Sequence, residues 1–223
     1  MRDVRICQAC RVTDWAAWHT RYENPNSPLS QRLDAVRSEV AAALDRAPEG
    51  PVRVLSLCAG RGLDLLPLLP VHVRGADVQG RLVELDPENA EVARASAPVG
   101  IEVVQADAGV PDACVGAVPA DLLLLCGIFG NVSDEDVERT VAAVPQLCAP
   151  RATVVWTRST RAPDLTPAVR RWVVRAGVEE TSFVTEGPGG WSVGAGTFLG
   201  RRESLVPGSR MFSFTTSEPR AGG

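Results

Sequence analysis

The chain has 223 residues, 45% of them apolar and 22% charged, enough to bury one sizeable core and too apolar for a disordered tail. Its 27 acidic side chains outnumber the 23 basic ones, for a formal charge of −4, so there is no bulk electrostatic reason to sit on nucleic acid. No lysine occurs and all 23 basic side chains are arginine, which excludes Schiff-base chemistry and any phosphate-binding loop that depends on a lysine.

Abundant Ala, Val, Gly and Pro beside only three isoleucines suggest a bacterial, GC-rich source. Met1 to Cys10 carries charges but no apolar stretch, and the longest apolar runs fall far short of the ~20 residues that span a bilayer. A cytoplasmic protein with no membrane partner is therefore expected. Six cysteines are scattered along the chain, with Cys58 and Cys126 in strand-like apolar runs, which reads as reduced thiols rather than a disulfide frame. Cys7 and Cys10 form a C-x-x-C pair without the second pair of ligands that tetrahedral zinc needs, so no metal is expected.

In chain order, the first predicted helix runs from about Thr13 to Tyr22, with Trp15, Trp18, His19 and Tyr22 recurring at helical spacing. Ser27 and Pro28 cap a second helix that carries Leu29, Leu33, Val36, Val40 and Leu44 on one stripe and stops before Pro48 to Pro51. From there strands and helices alternate. Val52–Leu57 is a strand, followed by a glycine turn and a predicted helix through Leu69. Leu82–Leu85 is the second strand, with Asp86 and Pro87 opening a helix through Ala97, and Ile101–Gln105 is the third. Leu122–Cys126 reads as a strand buried on both faces, and Ser133 to Asp136 as a capping box for a helix reaching Leu147. Thr153–Trp156 is a fifth strand. Thr166 and Pro167 start a helix ending at Gly177, after which 179–184 and 192–199 form a hairpin around the Gly187–Gly190 turn. Arg210–Thr216 reads as a possible edge strand. This order predicts an α/β fold, a doubly wound, seven-stranded Rossmann-like sheet over residues 48–223 with an N-terminal helical cap over 1–47.

In such sheets ligands bind beyond the carboxyl ends of the strands, where strand order reverses. The first strand runs into Cys58-Ala59-Gly60-Arg61-Gly62-Leu63-Asp64, where bare glycines let the backbone approach a ligand and the expected helix would offer free N–H groups. Glu84 ends the second strand, placed to accept both hydroxyls of a ribose, and Asp107 follows the third, placed to accept from an adenine amino group. A dinucleotide fingerprint would need a further glycine where Leu65 stands, which disfavours a nicotinamide-dependent oxidoreductase.

These three features together resemble the class I S-adenosylmethionine-dependent methyltransferases, whose first motif is written V-L-D-L-G-x-G-x-G, over roughly Val52 to Trp156. The resemblance implies S-adenosylmethionine as cofactor, with Cys58, Ala59, Gly60 and Gly62 at the methionine part, Glu84 and Leu85 at the ribose, and Ala106, Asp107 and Ala108 at adenine. Cys126 and Gly127, after the fourth strand, complete the floor. Two positions depart from the motif: Ser56 stands where the family usually has an acid, and Cys58 replaces the first glycine. Contact to the cofactor's ammonium then falls to Asp64 or to backbone carbonyls, although a carboxylate one turn into a helix also suits the dipole without any ligand. The segment Asp14 to Tyr22 is similar to the cap that many small-molecule methyltransferases fold over the cofactor, with Tyr22 as a donor to the cofactor carboxylate; an aromatic stripe packed on the sheet is the competing reading.

The implied reaction is methyl transfer to a small-molecule acceptor. His19 is the candidate general base, against the alternative of a structural hydrogen bond. His72 lies near the amino-terminal end of the second strand, far from the chemistry. Trp18, Phe129, Asn131 and Arg158 are candidate acceptor contacts, Asn131 having a turn role as its alternative. The absence of an Asn/Asp-Pro-Pro-aromatic motif after the fourth strand lowers methylation of nucleic-acid amino groups. A non-catalytic sensor of the cofactor or its product is the rival function, and a homodimer is a possible assembly.

Overall fold

The computed structural model describes residue 24 and residues 26–215. The predicted first helix, and with it Trp18, His19 and Tyr22, lies outside the described residues, as do Cys7 and Cys10.

Helix α1 spans Pro28–Arg46, opened by Ser27, whose hydroxyl accepts from the Ser30 N–H at 3.1 Å. Val36, Val40 and Leu44 are buried along one stripe, the i, i+4, i+8 spacing that points side chains the same way. The chain then lays down β1 (Val52–Leu57), β2 (Val78–Glu84), α2 (Pro87–Ser96), β3 (Ile101–Gln105) and β4 (Ala120–Leu125). Next come α3 (Asp134–Ala142), α4 (Val144–Leu147), β5 (Cys148–Ser159), α5 (Thr166–Arg175), β6 (Val178–Thr185) and β7 (Trp191–Phe198). The seven strands form one sheet in the order β3-β2-β1-β4-β5-β7-β6. β1 to β5 pair in parallel, whereas β7 runs antiparallel to both β5 and β6, as the expected closing hairpin requires.

Two apolar layers cover the sheet, and alternation along each strand assigns its residues to them. Val54, Leu82, Leu122, Leu124, Val155, Val193 and Ala195 pack with α1 on one face. Leu55, Val83, Leu123, Val154 and Trp156 pack with Val137, Val141, Val169 and Val173 of α3 and α5 on the other. The doubly wound, Rossmann-like architecture is therefore present, and α1 shares a core with the strands beneath it.

Four local expectations are corrected. No helix follows the glycine turn: residues 61–77 form turns and short 3₁₀ segments at Leu66–Leu68 and Gly75–Asp77. Pro67 and Pro70 are the reason, since each lacks an N–H and would collide with the carbonyl four residues earlier in an α-helix. The helix expected to reach Leu147 breaks at Ala143, where Pro145 sits in the first turn of α4. β5 is longer than its apolar centre, running for 12 residues, because β4 and β7 flank it on both sides. Finally, of the expected edge strand Arg210–Thr216, the described residues 210–215 form no strand. Met211 and Phe212 are buried in the α3-side core, and the segment contributes only an isolated bridge between Val132 and Phe214 among the described residues.

Candidate functional site

β1 stands between β2 and β4, so the chain turns to opposite sides of it and leaves a crevice over the carboxyl ends of these strands. The turn leaving β1 holds Cys58, Gly60 and Gly62 at positive φ, 56°, 56° and 68°. The position where the motif has its first glycine is thus left-handed in this chain, with a cysteine accepting the strain. The Ala59 N–H donates to Val83 O at 3.0 Å, which folds the turn against β2. Gly62 is bare for its left-handed φ and for packing as well: a Cβ there would come within 2.8 Å of the Leu66 and Leu82 side chains. No α-helix N-terminus stands beside it.

Glu84, the last residue of β2, is 9% exposed. Its Oε2 accepts from the Gly60 N–H at 2.7 Å and its Oε1 from the Asp86 N–H at 2.8 Å, so one carboxylate ties the glycine turn to the start of α2. Burial raises its pKa above the usual carboxylate value, while the two N–H groups resist the rise. Each oxygen keeps a lone pair for a further donor. Beyond β3, the Ala106 N–H donates to Glu84 O at 3.0 Å. Asp107 Oδ1 accepts from the Gly109 N–H at 2.8 Å, and its Oδ2 from Arg210 at 2.9 Å. The Cys58 thiol is pushed up by burial and then by the charges of Glu84 and Asp107, and the hydrogen bonds from Gly60 and Ala106 to Glu84 draw the loops that carry Cys58 and Asp107 to the same residue. Leu85 is 60% exposed beside them, and Ala108 is buried.

Asp64 is 8% exposed, and its Oδ1 has no hydrogen-bond partner. Burial lifts its pKa to about 6, against nearby backbone N–H groups and the more distant charges of Arg37 and Arg32 on α1. α1 is fixed over this turn by Arg37, whose Nε donates to Leu63 O at 2.8 Å. Asp64 in turn raises the Cys126 thiol, after the burial that dominates it. With no helix here, the dipole alternative for Asp64 lapses. Ser56 Oγ is likewise buried without a partner, and its place along β1 puts it on the α1 face with Val54. Asp64 Oδ1 therefore lacks a donor, whereas the serine hydroxyl could either donate or accept.

The candidate acceptor contacts are placed unequally. Phe129 is fully buried in the α3-side core, 6.3 Å from Trp156 ring to ring, and has no surface to offer an acceptor. Asn131 Nδ2 donates to Gly127 O at 2.7 Å and its N–H to Ile128 O at 2.9 Å, the arrangement of a turn stabiliser. Gly127 itself, at φ 77°, has nothing within 4 Å of an added Cβ. Its N–H donates to Thr157 Oγ1 at 2.9 Å, a rim residue that sequence reasoning missed because nothing local distinguishes a strand threonine. Arg158, half-buried at the end of β5, donates to Phe129 O, keeps its Nε unpartnered and has its pKa lowered by burial. His72 lies before β2 against Asp45 at 3.3 Å, at the opposite end of the sheet. The thiols at 58, 114, 126 and 148 are free, and among the described residues there is no cluster suited to a metal and no helix long and apolar enough to cross a membrane.

No family model matches the sequence, and no curated protein matches it. Solved structures do. The magnesium protoporphyrin IX methyltransferase of Synechocystis PCC 6803 with bound SAM superposes with a TM-score of 0.63 at 10% identity, covering 83% of this chain and 91% of that one. A TehB-like SAM-dependent methyltransferase of Corynebacterium glutamicum gives 0.56 at 16%, covering 78% and 100%. The N-methyltransferase NodS of Bradyrhizobium japonicum gives 0.53 at 14%, covering 81% and 100%. At such identities the likeness is one of fold. The chain therefore has the fold of the class I S-adenosylmethionine-dependent methyltransferases.

Proposed function

We propose that the protein is an S-adenosylmethionine-dependent methyltransferase acting on a small-molecule acceptor in the cytoplasm. The observation that carries this reading is the buried carboxylate of Asp64, one oxygen of which has no partner, four residues beyond the Gly60 N–H that Glu84 holds. A buried anion whose backbone N–H groups and nearby arginines only partly offset its burial is costly, and a ligand ammonium, with three N–H donors, is a group that would offset the rest. Asp64 thereby takes over from the acid that Ser56 does not provide. Glu84 would hold the ribose hydroxyls through its remaining lone pairs, the 58–60 backbone would face the methionine part, and Leu85 and Asp107 would flank adenine. When bound, the cofactor supplies an electrophilic methyl group on a sulfonium, and displacement at that carbon depends mainly on alignment and a dry pocket.

For this chain's own residues the work is positioning. Gly127 leaves open space over the end of β4, and Arg158 is the cation nearest that opening on β5, suited to an acceptor bearing negative charge. His19, with Trp18 and Tyr22, remains the candidate base and cap from the segment before α1. A second reading, a non-catalytic sensor of the cofactor or its product, is favoured by one observation: among the described residues no histidine lies on this rim.

Calorimetry with S-adenosylhomocysteine and with a nicotinamide dinucleotide tests the cofactor assignment, the first expected to bind and the second not. Incubation of labelled S-adenosylmethionine with the protein and small-molecule fractions, followed by mass spectrometry, separates the enzyme from the sensor. Binding without any labelled product would favour the sensor, and no binding would refute both.

A further inference from the structure

The segment after β7 returns across the molecule to the cofactor rim. Met211 and Phe212 are buried at 2% and 1% exposure. The Met211 N–H donates to Gly109 O at 2.8 Å, the Ser213 N–H to Asp136 Oδ2 at 2.8 Å, and the Thr215 N–H to Asn131 O at 2.9 Å. Gly109 is bare because of this passage: a Cβ there would stand 2.2 Å from Phe212 O. The segment is thus a strap docked by backbone bonds and two buried side chains, and it presents Arg210 to the loop after β3.

Arg210 Nη1 donates to Asp107 Oδ2 at 2.9 Å, and the same nitrogen is held by Phe212 O at 3.2 Å and Ser213 Oγ at 3.4 Å. The other Asp107 oxygen is held by the Gly109 N–H. An ion pair whose side chains are 50% and 42% exposed adds little to stability, so it is a weak device for holding the fold. It does fix the rotation of the carboxylate, leaving one lone-pair direction on each oxygen for an incoming donor. We propose that Arg210 is a positioning residue of the cofactor site, orienting Asp107 to accept the 6-amino group of an adenine ring, so that the docked strap is part of the binding apparatus. This rests on the reading of the rim given under Proposed function and deepens it by naming a residue 103 positions from its partner.

The test is a double-mutant cycle read by calorimetry with S-adenosylhomocysteine. R210Q should weaken binding by about fivefold to tenfold, the order expected when a charge-assisted hydrogen bond loses its alignment, with R210K recovering part of it. In a D107A background R210Q should have no further effect, because the carboxylate it orients is gone. A merely structural strap would weaken binding equally in both backgrounds, and that result overturns the role of Arg210. So does an R210Q protein that binds as tightly as the parent. Failure of the parent to bind S-adenosylhomocysteine at all overturns the underlying cofactor assignment and this inference with it.

Discussion

Replacing Asp64 by Asn should make the ligand-free protein more stable and the ligand-binding protein worse. In the folded chain burial lifts the Asp64 carboxyl from 3.8 to about 6, about two pK units, or about 3 kcal/mol at 1.36 kcal/mol per unit. A carboxyl with a raised folded-state pKa binds its proton more tightly in the folded protein, so stability increases as pH falls through about 6, and the penalty is complete above that value. Asn carries no charge to bury, but its amide must find its own partners, at a cost of about 1 kcal/mol. The net gain for Asp64→Asn near neutral pH is therefore about 2 kcal/mol, roughly 4–8 °C in Tm for a chain of this size. Thermal unfolding of the parent between about pH 7.5 and 5 should also show a rise of about 1 kcal/mol from this group, missing from the variant. Calorimetry completes the argument: S-adenosylhomocysteine, which carries the ammonium, should bind Asp64→Asn at least about tenfold more weakly. Adenosine, which lacks that group, should bind it as it binds the parent. A variant no more stable than the parent, with the same pH slope and unchanged affinity for S-adenosylhomocysteine, would refute the reasoning.

Glu84→Ala should weaken both S-adenosylhomocysteine and adenosine by at least about tenfold, since a charge-assisted pair to the ribose is lost; unchanged affinity for adenosine would mean that the ribose lies elsewhere. Phe129→Ala should cost about 3–5 kcal/mol in denaturant unfolding, the usual cost of emptying a buried aromatic site. A variant of normal stability with a raised KM for the acceptor would instead restore Phe129 as a substrate contact. At Cys58, relief of left-handed strain of about 1–2 kcal/mol by glycine is partly offset by its larger backbone entropy, about 0.5–1 kcal/mol, so Cys58→Gly should leave stability unchanged or raise it by up to about 1.5 kcal/mol. Cys58→Val, branched where φ is positive, should be clearly less stable than Cys58→Gly in the same melts.

What could be read from the sequence divides along a physical line. β1 and β4 were legible because they are covered on both faces, which leaves continuous apolar runs, and α1 because one stripe of it meets the sheet every four residues. The rim acids at 84 and 107 were legible because strand ends fix where they emerge. The segment after Gly62 was misread as a helix because its leucines suggest a buried face, while Pro67 and Pro70 forbid the backbone that periodicity assumed. That error hid the meaning of Asp64, for which a helix offered a ligand-free explanation that turns do not. Phe129 has the right composition for an acceptor wall, but its ring is buried in the α3-side core against Trp156, a packing that only folding produces. Arg210 left no local signal at all, since its partner comes from another part of the chain. The type and rough place of each anchor thus follow from local chemistry, whereas the charge that an anchor feels follows from what folds over it. For Asp64 that cover is α1, whose Arg37 ties it to the Leu63 carbonyl and whose arginines only partly offset the burial. Moving α1 away should therefore lower the Asp64 pKa even with every residue of the β1 turn unchanged.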